Sequence, residues 1–106
     1  MSAITLEEAL EHLERFANHE ILVIVESPGR GGVPVRLAGR LRSLGKLSGD
    51  LPDAMSGVAF TVGDAGLLTI NPRTFMSAEL GANGRLLRVM DLGGVALTIE
   101  LHDERR

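Results

Sequence analysis

With 106 residues, a net charge of −3 and 44% hydrophobic content, the chain is sized for one domain and is too apolar for disorder along its whole length. It contains no Cys, which excludes disulfides and thiolate metal sites, and no apolar run approaches the roughly 20 residues of a membrane-spanning helix. Three Phe and no Trp or Tyr leave the core to Leu, Val and Ile. Burying further apolar surface between subunits would help such a chain, so a homo-oligomer is expected.

The charge is unevenly placed. Residues 1–26 carry six acids and one base, residues 27–47 five bases and no acid, and residues 48–106 eight acids and five bases. An acidic segment beside a basic one can be complementary within a subunit or between subunits, so it need not mark an outside partner. The start, Met1 to Glu8, lacks a basic stretch followed by an apolar one. No secretory signal is therefore expected, and a soluble cytoplasmic protein is.

In chain order, residues 5–18 read as an amphipathic helix. Thr5-Leu-Glu-Glu8 has the capping-box pattern, and Leu6, Ala9, Leu10, Leu13, Phe16 and Ala17 fall on one stripe. Asn18-His19 suits its end, because Asn tolerates the left-handed backbone. Residues 20–47 read as one long hairpin. Its first arm, Glu20 to Glu26, is apolar on both faces, Ser27 to Gly32 turns the chain, and the second arm alternates. In that arm Val35, Leu37, Gly39 and Leu41 take one face and Arg36, Ala38, Arg40 and Arg42 the other. Ser48 to Gly57 is a loop by composition. Val58–Val62 and Leu67–Asn71 form a second hairpin candidate, which Pro72 ends. Residues 74–80 suit a short helix or the first arm of a third hairpin, and Gly81-Ala-Asn-Gly84 before Arg85–Met90 favours the hairpin. Residues 95–102 close the chain as a strand with Val95, Leu97, Ile99 and Leu101 inward.

One helix followed by short antiparallel strands predicts an α+β domain. The N-terminal helix packs on a strongly bent antiparallel five- to six-stranded sheet or small barrel. Gly39 and Gly45 are the natural places for the bend. This order of elements, with Val35-Arg-Leu-Ala-Gly-Arg-Leu-Arg-Ser-Leu44 as an apolar, glycine-bent strand, resembles the Sm-like fold: a short helix on a bent five-stranded barrel. The resemblance implies rings or other oligomers. The chain departs from the pattern at Leu44 to Leu47, where Asp and Asn usually follow the strand. It departs again at Asp91-Leu-Gly-Gly94, where the family has an Arg-Gly turn. No RNA-binding residues carry over.

Arg36, Arg40 and Arg42, with Lys46 beyond them, form the best candidate site. Alternate residues on a strand lie roughly 7 Å apart, a spacing that can follow phosphates or another polyanion. The plainer reading is a solvated face, or pairing with Glu7, Glu11 and Glu14 of the helix. No Tyr or Trp interleaves the bases to stack nucleobases. Gly39 to Lys46 fails as a phosphate-binding loop: five residues separate its glycines and Leu47 stands where Ser or Thr would bind magnesium. His12, His19 and His102 have no metal-ligand spacing, Asp50 and Asp53 suit loop capping, and no Ser sits in a nucleophile elbow. Met55, Met76 and Met90 suit core filling better than an adaptable binding surface.

No cofactor, metal or catalytic constellation is implied, and no membrane partner. The foremost reading is a non-enzymatic, self-associating β-domain that serves as an assembly or interaction module. A strand apolar on both faces needs cover on both, from the helix or from a second subunit. Next stands an RNA- or polyanion-binding oligomer using the arginine row. A third reading is a small-molecule-binding domain or enzyme with a pocket at a subunit boundary.

Overall fold

Helix α1 (Leu6–Phe16) starts where the capping box puts it. The Thr5 amide donates to Glu8 Oε1 at 2.9 Å, and the Glu8 amide donates to Thr5 Oγ1 at 3.1 Å. Two of the otherwise orphaned amides of the first turn are thereby satisfied. Its apolar stripe buries Ala9, Leu13 and Phe16, and Asn18 leaves the helix at φ 69°. The computed structural model describes residues 2–27, 34–47, 57–64 and 66–102, with 45–47 and 82 by backbone alone.

Strands β1 (Ser2–Ile4), β2 (Glu20–Glu26), β3 (Val35–Leu47), β4 (Gly57–Val62), β5 (Gly66–Ile70), β6 (Phe75–Gly81), β7 (Leu86–Asp91) and β8 (Ala96–Leu101) form one sheet. The order is β1-β6-β7-β8-β2-β3-β4-β5 and every pairing is antiparallel. The expected long hairpin is the pairing of β2 with the first half of β3, from Glu20 opposite Arg40 to Val25 opposite Val35. The second half of β3, from Leu41 onward, pairs instead with β4. One strand therefore serves two arms of the sheet.

The bend that allows this lies at Gly39, at φ 157°, where an added Cβ would stand 2.8 Å from Gly63 Cα. A second irregularity follows between Ser43 and Gly45, which leaves Leu44 out of register and exposed. Such an extra residue kinks a strand and increases its twist. Beyond the bend the two arms share one core. Ile21, Val23, Leu87 and Ile99 come from the larger arm, Leu41, Phe60, Leu68 and Ile70 from the smaller, and α1 adds Leu13 and Phe16.

Among the described residues the expected five to six strands are eight. Strand β1 has only three residues, too few for any alternation to show, and it pairs with β6. Residues 74–90 take the hairpin alternative: β6 pairs with β7 across a short 3-10 turn, Ala82–Gly84, with Asn83 at φ 57°. The sheet is not closed into a barrel. Strand β5 pairs only with β4, and β1 only with β6, so both are edges. The turn at Asn71–Thr74 carries the chain from the smaller arm to the larger without pairing β5 to β6. Among the described residues no helix is long and apolar enough to cross a membrane. The predicted turn beyond Ser27, the loop from Ser48, Asp50, Asp53 and Met55 lie outside the described residues.

Candidate functional site

Strand β2 is the reason one face of the larger arm has apolar residues to spare. Its inward set, Ile21 and Val23 with Val25, belongs to the core. Its outward set, Leu22 and Ile24, is half-buried and takes no part in that core. The register extends this outer face across the neighbouring strands. One row runs Leu86, Glu100, Leu22, Ala38, and the next runs Arg88, Thr98, Ile24, Arg36. Met90 and Ala96 stand opposite each other in the row beyond. Leu86 and Met90 are likewise half-buried and outside the core.

Arg88 is the least ordinary member of this face. Its Nε is buried and has no hydrogen-bond partner among the described residues. In register its neighbours are Glu79 on one side and Thr98 on the other. A buried guanidinium nitrogen left unpaired carries a desolvation penalty of roughly 1–3 kcal/mol.

The predicted arginine row does not behave as one unit. Arg40 is held: its Nη1 donates to the Asn18 carbonyl at 3.1 Å and its Nε lies 3.8 Å from Glu20 Oε2. Asn18 lies two residues past the end of α1, so this places a cation by the negative end of the helix dipole. The partner is thus Glu20 and the helix end, where the plainer sequence expectation is a solvated face or pairing with Glu7, Glu11 or Glu14. Of those helix acids, Glu14 accepts a hydrogen bond from Ser43 Oγ at 2.9 Å. Arg36 lies on the outer face beside Ile24, and Arg42 lies past the Gly39 bend opposite Thr61, both exposed. Lys46 is placed opposite Val58 by the backbone register. Met76 and Met90 correct another expectation: Met76 sits at the irregularity between Phe75 and Ser77 and is 52% exposed, and Met90 lies half-buried on the outer face, so neither fills the core.

Between the arms lies a cavity of about 310 Å³. Val25, Val89 and Leu97 bound it from the larger arm, aligned across β2, β8 and β7 in one row. Leu68 and Ile70 of β5 bound it from the smaller arm, and Phe75 adds a ring. Its polar residues come from two turns that are tied together. In the first, the Asn71 carbonyl accepts from the Thr74 and Phe75 amides at 3.1 and 3.0 Å, and Asn71 Oδ1 accepts from the Arg73 amide at 2.9 Å. In the second, Asp91 Oδ1 accepts from the Gly93 and Val95 amides at 2.9 and 3.1 Å. The Leu92 amide donates to the Thr74 carbonyl at 2.8 Å and joins the two. The cavity is lined by residues of one chain.

Sequence reasoning missed both Arg88 and Asp91. Arg88 carried a signal, a lone base among apolar residues in Leu86-Leu-Arg-Val-Met90. Asp91 sits before Leu92-Gly-Gly94 and was read only as part of a turn. Among the described residues no group of three or more His, Asp or Glu is placed to hold a metal. Compared with protein-family models, curated proteins and solved structures, the chain has no significant match.

Proposed function

We propose that this chain is a non-enzymatic, self-associating β-domain that acts as an assembly or interaction module, using the outer face of its larger arm. The observation that supports the reading is the half-buried set Leu22, Ile24, Leu86 and Met90, which lies outside the core on the face that also carries Arg88, whose Nε has no hydrogen-bond partner among the described residues. The occupant that fits is a second copy. The face carries both signs, with Glu79 beside Arg88 at one end of a row and Arg36 at the other, so a copy turned about a two-fold axis along β8 sets Arg36 against Glu79. Apolar contacts at the centre with mixed charges around them are the usual anatomy of such an interface. The Sm-like resemblance favours the same outcome, since it implies rings or other oligomers.

Ile24→Glu tests the face. Ile24 lies outside the core, so the variant keeps its circular dichroism spectrum and sediments as a monomer where the native chain associates. A variant that sediments like the native chain would remove this face from the interface.

A second reading, an RNA- or polyanion-binding oligomer, draws support from Arg36 and Arg42. Both are exposed and neither makes an ion pair among the described residues. With Arg40 engaged at the end of α1, the site has two free arginines in place of a row of three.

A further inference from the structure

We infer that the cavity between the two arms is a binding site for a small amphiphile with an apolar body and a primary ammonium head. Its volume of about 310 Å³ is near the lower end of the range for small-molecule sites. An apolar cavity of about 150 Å³ accepts benzene, so this one takes an apolar body of roughly ten carbon atoms. Aliphatic walls from β2, β5, β7 and β8 suit a flexible chain, and Phe75 is the one ring among the lining residues.

The head group follows from Asp91. Among the described residues lining the cavity, Asp91 is the one charged side chain. Its Oδ1 is fully employed by the Gly93 and Val95 amides, while Oδ2 accepts no hydrogen bond from the described residues. A carboxylate oxygen at an apolar wall favours a cation that donates hydrogen bonds, and repels a carboxylate head. An ammonium gains both the charge and the hydrogen bond, a hydroxyl only the hydrogen bond. Thr74 also lines the cavity; its Oγ1 donates to the Asn71 carbonyl at 3.4 Å and keeps its lone pairs to accept from a donor.

Three probes with the same tail separate head from body: octylamine, octanol and octanoate at neutral pH, followed by amide chemical shifts of the isotopically labelled chain. Octylamine is expected to give saturable shifts in β5 and in residues 89–97, at least about tenfold tighter than octanoate, with octanol between. Asp91→Asn keeps an oxygen to cap the turn. It is expected to weaken octylamine about tenfold and to leave octanol within about twofold. No saturable shifts with any probe would overturn the inference, as would octanoate binding as tightly as octylamine, or shifts confined to the outer face around Leu22 and Ile24. If Asp91→Asn does not fold, the three-probe comparison on the native chain decides alone. The site is independent of the outer face, so the Ile24→Glu chain is expected to bind octylamine as the native chain does.

Discussion

A strand position with an arginine between apolar neighbours is an unfavourable place for a charge unless something accepts its hydrogens. Arg88 occupies one on the outer face of β7, where its same-face neighbours along the strand are the half-buried Leu86 and Met90, and its Nε is buried and unpaired among the described residues. For the free subunit this is a liability, and in the proposed assembly it would be an anchor, since arginine is among the residues that carry most interface energy. Arg88→Met keeps the aliphatic stem and removes the unpaired donor. In the monomeric Ile24→Glu background, urea denaturation is expected to show a stability gain of about 1 kcal/mol. In the otherwise native chain the same substitution is expected to weaken self-association about tenfold. Lost stability together with unchanged association would mean that Arg88 serves the fold alone. Arg40, by contrast, looked equal to Arg36 and Arg42 in the sequence. Only the placement of the helix end against β3 separates it from them.

At the level of elements, what the sequence disclosed was what local chemistry controls. The capping box of α1, the left-handed Asn18 and the pairing of Glu20–Val25 with Val35–Arg40 follow from residues close in the chain. The bend in β3 was legible for the same reason, because a glycine in an otherwise apolar alternating strand marks a corner. Its physical cause was not legible: Gly39 backs directly onto Gly63, a residue twenty-four positions away. Gly39→Ala places a methyl group against that backbone at a φ few side chains adopt. It is expected to lower stability by about 1–3 kcal/mol in urea denaturation while the helical signal of α1 persists at low denaturant. Native stability in this variant would show that the corner tolerates a side chain and that Gly39 does not set the bend. Strand β1 escaped notice because three residues carry no period, and its pairing with β6 is a long-range event.

For the whole molecule, the sequence pointed to a bent β-rich domain with one helix, and the open edges at β1 and β5 were beyond it. Whether a sheet closes depends on what its last strands meet, and here Asn71–Thr74 leads β5 away from β6 without a ladder between them. The cavity is a further consequence of two arms folded on one strand. Its lining is drawn from residues 25 to 97, so no local stretch could announce it. The apolar excess of β2 was visible from the start, and it is the feature on which the account of assembly rests. The most direct test is size-exclusion chromatography with light scattering of the native chain at tens of micromolar, in low and high salt. Refractive index should report the mass, because a chain without Trp or Tyr barely absorbs at 280 nm, and strong absorbance at 260 nm would then report nucleic acid. The account predicts a mass of at least twice 11.3 kDa that persists in high salt and carries no nucleic acid. A monomer in both salts would contradict it, and an oligomer that falls apart as salt strips nucleic acid from it would transfer the function to Arg36 and Arg42.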